Sequence, residues 1–206
     1  MDFVTRTKIA ENPHTSTEIL SELARDEESD VRLNVAANHS TPSKVLAELA
    51  KDKNKYIRMR VAENLNTALE TLSELAKDDF APVRCGVADN QNTSPEILVN
   101  LANDKEFWVR VRVAENQNTP LQVLSELAKN RQEYIRMNVA DNPHTSPEIL
   151  SELAKSKEWT VRSHVASNEN TPLEVLAALA KDRFAEVREN AEESLEKRSE
   201  ESAMSI

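Results

Sequence analysis

Arginine is the most regularly spaced residue in this chain, and its guanidinium group can bind either carboxylates or phosphates. One arginine recurs every 26 residues: Arg6, Arg32, Arg58, Arg84, Arg110, Arg136, Arg162 and Arg188. A row of paired arginines would link neighbouring repeats, whereas a row of accessible arginines would recognise phosphates. The spacing by itself is compatible with both interpretations.

Other residues capable of chemistry are not arranged in a recognisable site. The single cysteine, Cys85, rules out an intramolecular disulfide and a cysteine-rich metal site. The four histidines share no metal-ligand spacing. The single glycine, Gly86, leaves no glycine-rich phosphate loop. We therefore predict a chain that is not an enzyme and has no catalytic site, metal or cofactor.

The arginines belong to a 26-residue repeat that runs without insertion. Repeats start at residues 5, 31, 57, 83, 109, 135 and 161. With that residue as position 1, position 2 is Arg, position 6 Ala, position 8 Asn and position 11 Thr. Apolar residues at positions 1, 5 and 6, and again at 15, 19 and 20, predict two helices per repeat. We expect an all-α solenoid with a single domain over 1–186, then a capping helix and disordered tail over 187–206.

Polar residues mark the expected ends of these helices. Thr at position 11 precedes Glu or Gln by three residues in most repeats, as in Thr93 and Glu96, which predicts a capping box at the second helix. The asparagine at position 8 is expected to close the first helix in place of glycine. The predicted structural ladder of asparagines comprises Asn38, Asn64, Asn90, Asn116, Asn142 and Asn168.

A helical wheel places the position-2 arginine between the apolar positions, so it points toward the core. A buried arginine needs a partner, and the aspartate at position 22 of the preceding repeat is available, as Asp26 is for Arg32. We therefore favour a structural ladder over phosphate recognition. Its predicted members are Arg32, Arg58, Arg84, Arg110, Arg136 and Arg162.

Position 3 lies on the opposite side of the wheel, and its residues are apolar and variable. Neighbouring repeats have Leu33, Met59, Cys85, Val111 and Met137 there. Position 4 beside it includes Arg60 and Arg112, and position 7 is mostly acidic. An apolar stripe edged by charge suits a protein-binding groove. Packing of position 3 against the adjacent helix is the equally open alternative.

The repeat V-R-x-x-V-A-x-N-x-x-T-P-x-x-V-L-x-x-L-A-x-D resembles that of the variant leucine-rich repeat (LRV) family. The match covers about residues 5–188, and residues 109–129, VRVRVAENQNTPLQVLSELAK, are its clearest copy. The resemblance implies a right-handed superhelix that alternates an α-helix with a shorter, often 3₁₀, helix. HEAT-type repeats are a more distant relative. The cysteine-rich cluster segment of some members is absent here.

Composition and repeat pattern together predict a non-catalytic scaffold that binds a protein or peptide along one face. The alternative is a HEAT-like nucleic-acid-binding module, motivated by the arginines and by Trp108 and Trp159. A formal net charge of -10 disfavours nucleic acid because it repels phosphates. No apolar stretch is long enough for a membrane span. We expect a cytoplasmic monomer that does not bind membranes.

Overall fold

A computed structural model describes the backbone of residues 1–204 and the side chains of residues 1–200. These residues form fifteen α-helices and no β-strand. Each repeat contains a first helix of nine residues and a second helix of seven. The first helices are α1 Phe3–Glu11, α3 Ser29–Ala37, α5 Lys55–Glu63, α7 Ala81–Asp89, α9 Phe107–Glu115, α11 Glu133–Asp141 and α13 Trp159–Ser167. The second helices are α2 Thr17–Leu23, α4 Ser43–Leu49, α6 Leu69–Leu75, α8 Pro95–Leu101, α10 Leu121–Leu127, α12 Pro147–Leu153 and α14 Leu173–Leu179, and α15 is Ala185–Met204.

The chain divides into two compact units, Met1–Asn118 and Thr119–Ile206. In the first unit, the first helices α1, α3, α5, α7 and α9 pack in sequence order, each against the next. In the second unit, α11 packs on α13 and α13 on α15. Each unit is therefore a stack of helix pairs. The predicted all-α solenoid class is confirmed, and a single domain over 1–186 stays a prediction.

The core of each unit comes from the repeated apolar positions. Val83, Val87 and Ala88 of α7 are fully buried, as is Leu98 of α8. Burial of one such leucine side chain contributes about 2 kcal/mol relative to its exposure. Because the same positions are buried in the six repeats that start at residues 31 to 161, each helix pair shields the apolar face of its neighbour. The second helices are α-helical, in contrast to the 3₁₀ helix that the family resemblance allows.

The predicted capping box is wrong. The second helices begin at position 13, one residue later than a cap at position 11 requires. The hydroxyl of Thr93 instead donates to the carbonyl oxygen of Val87 at 2.6 Å. It thereby satisfies the C-terminal end of the first helix, whose last carbonyls have no partner within the helix. Thr93 follows Val87 by six residues, and the chain reverses direction between them. The hydroxyl of Thr93 therefore lies over the end of the first helix.

The predicted capping helix and disordered tail over 187–206 fall in the segment that forms helix α15. Helix α15 continues to Met204, and residues 205–206 lie outside the described residues. Its side chains cover the end of the array. Ser194 donates to the carbonyl of Ala166 at 2.7 Å. Arg198 donates to the carbonyl oxygens of Thr171 and Glu169 at 2.6 Å each and to that of Asn168 at 3.2 Å. Inside the array, asparagines of the following repeat donate hydrogen bonds to the equivalent carbonyls. At the end of the array, Arg198 makes these donations in their place.

Candidate functional site

The position-2 arginines bind carboxylates, but in a different register from the predicted one. Arg84 donates from Nε to Oδ2 of Asp104 at 2.6 Å and from Nη2 to Oδ1 at 2.9 Å. Asp104 belongs to the same repeat as Arg84. The aspartate of the preceding repeat, Asp78, offers its backbone carbonyl to Nη1 at 2.7 Å. The predicted pairing of Asp78 with Arg84 through the carboxylate is therefore wrong, because that carboxylate already binds Arg58.

The bidentate pairing recurs wherever position 22 is aspartate and both residues lie in one unit. The pairs are Arg6 with Asp26, Arg32 with Asp52, Arg58 with Asp78, Arg84 with Asp104 and Arg162 with Asp182. Burial by itself raises the pKa of Asp104, but hydrogen bonds from Arg84 and from the Glu106 backbone amide lower it overall. These aspartates therefore hold their charge in the fold, and the arginine charge is neutralised.

Two arginines depart from this arrangement. Position 22 is Ser156 in the repeat of Arg136, and Arg136 binds Glu158 at 2.7 Å instead. Arg110 donates from Nη1 to the carbonyl of Asp104 at 2.6 Å. Every arginine of the predicted ladder thus donates to a backbone carbonyl of the repeat before it. That contact crosses from one repeat to the next and explains why the residue type does not vary.

The position-8 asparagines form a second row of contacts between repeats. Asn90 is 3% exposed, and its Nδ2 donates to the carbonyl oxygens of Ala62 at 2.8 Å and Asn64 at 3.1 Å. Its Oδ1 accepts from the Asn92 backbone amide at 2.9 Å. The same donation to the preceding repeat is made by Asn38, Asn64, Asn116 and Asn168. Asn142 is buried and accepts from the His144 amide.

The asparagines also close the first helices, as predicted, and their backbone is extended and not left-handed. Asn90 is the C-cap of α7 with φ -69° and ψ 122°, which is extended. No non-glycine residue among the described residues has a positive φ. The donation to the preceding repeat was not predicted, because a sequence does not show which carbonyls lie across the helix stack.

The candidate partner-binding residues at position 3 differ in exposure. Leu33, Met59, Cys85 and Met137 are half-buried, whereas Val111 is 1% exposed. The outward position predicted for Val111 is therefore wrong. A helix in a stack has a neighbour on each flank, so a side chain directed away from the paired second helix can still be covered. Val111 can contact a partner only if the helices around it move.

Arg60 and Arg112 are exposed enough to reach solvent, and each binds a glutamate on its own helix. Arg60 Nη1 lies 2.8 Å from Glu63 Oε2. Arg112 Nη1 lies 2.7 Å from Glu115 Oε2, and 3.9 Å from Oδ1 of Asp89 on the preceding first helix. Exposed pairs of this kind contribute less than about 1 kcal/mol each. Both arginines can therefore exchange partners at little cost.

Three of the candidate residues, Met59, Cys85 and Arg112, line one groove of about 570 Å³, which we call the α5–α9 groove. It lies in the first unit across helices α5, α7 and α9. Its full lining is Met59, Glu63, Ala81, Pro82, Cys85, Gly86, Asp89, Glu106, Trp108 and Arg112. Leu33, Arg60, Val111 and Met137 are not among these residues.

Gly86 forms part of the floor of the α5–α9 groove. A Cβ atom there would lie 3.1 Å from Cβ of Ala62 and 3.3 Å from Cγ of Glu63, both on the neighbouring helix α5. Helices α5 and α7 therefore approach each other closely at this point. Sequence reasoning did not assign Gly86 to a site, although it was the one residue without a side chain in a row of polar position-4 residues.

Trp108 and Cys85 are the aromatic side chain and the thiol of the groove. Trp108 is 57% exposed and contacts Phe107 edge to face, with ring centroids 4.9 Å apart. Burial raises the pKa of the Cys85 thiol, so the thiol stays protonated and is a poor nucleophile.

The described residues contain no group of three side chains able to hold a metal ion. None of the helices in that part of the chain is long and apolar enough to cross a membrane.

Stacked helix pairs, two rows of inter-repeat hydrogen bonds and a groove on the first-helix side define an α-helical repeat solenoid. The family profile described as leucine rich repeat variant matches residues 159–184. A solved structure described as a leucine-rich repeat variant with a novel repetitive structural motif is 28% identical, with a TM-score of 0.65. The match covers 88% of this chain and 73% of that one. The resemblance to the variant leucine-rich repeat family is confirmed.

A second solved structure supports the fold alone. The Escherichia coli protein YibA is 18% identical over 91% of this chain and 84% of that chain, with a TM-score of 0.54. Curated proteins give no match to this sequence. The comparisons therefore identify the architecture and the family that the repeat resembles, while the partner has to be argued from the residues.

Proposed function

We propose that this chain is a non-catalytic scaffold that binds a protein or peptide in the α5–α9 groove. The observation that carries the proposal is the groove itself. It combines half-buried apolar side chains of Met59 and Cys85 with the exposed ring of Trp108 and a charged rim. Grooves of this composition suit a peptide whose apolar side chains enter while its backbone stays near the polar rim.

Several features support binding rather than catalysis. The carboxylates at position 22 are bonded to arginines, and the cysteine thiol is held protonated. The groove contains no histidine and no serine or threonine hydroxyl. A nucleophile with a hydrogen-bonded base is therefore missing from its lining. Such a lining can hold a ligand by contact and charge.

The nucleic-acid alternative loses its main motivation. The guanidinium groups of Arg32, Arg58 and Arg84 each bind an aspartate in bidentate geometry, so they are not presented to phosphates. Trp108 lies in a groove whose rim carries more carboxylates than guanidinium groups. A phosphate backbone would meet net negative charge there. Among the side chains of residues 1–200, no contact favours this second function.

Selection of binders tests the proposal. A library of random peptides is selected against the full chain, and binding of the enriched peptides is measured by fluorescence anisotropy. Met59→Glu places a charge in the apolar part of the groove and should weaken binding by about tenfold or more. Circular dichroism checks that the variant keeps its helices.

Leu69→Glu is the matched control. Leu69 is 48% exposed on the second helix α6 and does not line the groove, so the same type of change should leave binding unaltered. Failure to enrich any peptide would refute the proposed function. Equal weakening by the two variants would show that the peptides bind elsewhere or respond to charge alone.

A further inference from the structure

At some junctions, neighbouring first helices are joined by a polar contact between position 7 of one repeat and position 4 of the next. Position 7 supplies a carboxylate and position 4 a donor. Three such contacts occur: Glu11 with Asn34 at 3.2 Å, Asp89 with Arg112 at 3.9 Å and Asp141 with His164 at 2.6 Å.

The contact is interrupted at Glu63, because position 4 of the following repeat is Gly86. Gly86 has no side chain and α5 approaches it closely, since a Cβ there would lie 3.1 Å from Cβ of Ala62. Gly86 and Glu63 both line the α5–α9 groove, and Gly86 provides no donor there. Glu63 Oε2 binds Arg60 of its own helix instead, at 2.8 Å. Among the described residues, none donates a hydrogen bond to Glu63 Oε1. One repeat junction thus keeps its acceptor and lacks its donor.

The charge of the α5–α9 groove beside Gly86 is negative. Glu63, Asp89 and Glu106 line the groove together with one cation, Arg112. The charge of Arg112 is shared with Glu115, which lies outside the lining. The groove therefore has a surplus of carboxylate charge next to apolar walls, within a chain whose formal net charge is -10. Such a surface attracts cations and raises the association rate of basic partners.

The walls of the groove suit the side chain that the charge selects. Met59, Pro82 and Cys85 offer apolar surface to an aliphatic stem, and Trp108 offers an exposed aromatic face. A guanidinium group is planar, stacks on indole rings and donates two parallel hydrogen bonds to a carboxylate. A lysine ammonium would satisfy the charge but neither the stacking nor the bidentate geometry.

From this juxtaposition we infer that the α5–α9 groove beside Gly86 is a binding site for an arginine side chain of a basic peptide, with Glu63 as its acceptor. The inference rests on the proposed function and names its partner's chemistry. The ligand guanidinium supplies to Glu63 the donor that Asn34, Arg112 and His164 supply to the position-7 carboxylates at other junctions. The flanking peptide residues then lie along Met59 and Trp108.

The test uses a short labelled peptide of glycine and serine with one central arginine, and the same peptide with citrulline in its place. Citrulline keeps the shape of the side chain and removes its charge. The full chain is expected to bind the arginine peptide at least about tenfold more tightly in fluorescence anisotropy. Equal binding of the two peptides would overturn the inference.

Glu63→Gln and Glu11→Gln form a matched pair of variants. Both remove one carboxylate from position 7 of the first unit, but at Glu11 the donor Asn34 already occupies the junction. Glu63→Gln should weaken binding of the arginine peptide about tenfold, and Glu11→Gln should leave its binding unchanged. Equal weakening by both would mean that the peptide responds to overall charge, and no weakening by either would place it elsewhere.

Gly86→Arg supplies the missing donor from the chain itself and should abolish peptide binding. Its Cβ meets Ala62 at 3.1 Å, so a thermal melt must show that the variant folds. If it does not fold, the Glu63 and Glu11 variants still decide. Selected peptides that lack arginine but whose binding depends on Met59 would contradict this inference and would still support the proposed function. An empty selection would instead refute the function.

Discussion

The asparagine ladder makes the sharpest stability prediction, through the substitution Asn90→Ala. Asn90 is 3% exposed and makes three hydrogen bonds, two donated to carbonyls of the preceding repeat and one accepted from the Asn92 amide. A buried hydrogen bond contributes about 1 kcal/mol net, and leaving its partners unsatisfied adds to the loss. We therefore expect Asn90→Ala to lower the free energy of unfolding by about 3 kcal/mol.

Asn92→Ala is the control that isolates the effect of burial on the loss of stability. Asn92 is the same residue type two positions on, and its Nδ2 also donates to the preceding repeat, to the carbonyl of Leu65 at 2.6 Å. Asn92 is exposed, so water can replace the lost bond. Its truncation should cost less than about 1 kcal/mol.

Urea denaturation followed by circular dichroism measures both variants against the parent chain. The shift of the midpoint multiplied by the slope of the transition is the change in the free energy of unfolding. An Asn90→Ala loss no larger than that of Asn92→Ala would refute the reasoning, because it would mean that the buried carbonyls of Ala62 and Asn64 find other donors. A reduced slope would show that the stack separates at this junction.

Two further predictions concern the second unit. A hydrogen bond to Asp141 raises the pKa of His164. The stabilisation from this pair should therefore be complete below the unfolded pKa of about 6.5 and be lost as pH rises through the raised folded pKa. The variant His164→Asn should remove this pH dependence from thermal melts. Arg198→Lys cannot reach all three carbonyls that Arg198 binds, so α15 should dock less firmly, with a loss of about 1–2 kcal/mol in urea denaturation. Lys197→Ala, which removes an exposed pair with Glu169 at 3.0 Å, should cost no more than about 0.5 kcal/mol, and an equal loss would contradict the capping role of Arg198.

The periodicity of apolar residues along the sequence predicted most of the fold. Apolar spacing within 26 residues predicts two helices per repeat, and the unbroken register predicts stacking, because every helix pair presents the same apolar face to its neighbour. Local signals were less reliable. Thr93 and Glu96 match a capping box in sequence, yet the hydroxyl of Thr93 donates to Val87 on the preceding helix. A hydroxyl can serve either helix end, and sequence spacing does not choose between them.

Residue types also indicated which side chains are structural before their partners were known. A recurring arginine on the core side of a helix requires a carboxylate, and aspartates of two repeats were available to it. The choice of Asp104 over Asp78 for Arg84 depends on where the loop after the second helix places each carboxylate. That geometry arises from helix packing, so a pattern along one chain does not contain it.

The sequence by itself determined the repeat, the helix pairs, the rows of arginine and asparagine and the variable position-3 residues, because these depend on residue type and spacing alone. Tertiary structure decided which of those residues share a surface. It buried Val111, joined Met59, Cys85 and Trp108 in one groove, and set Gly86 opposite Glu63 at a junction without a donor. The missing donor at Glu63 is a property of two neighbouring helices, so it becomes visible only when both are in place.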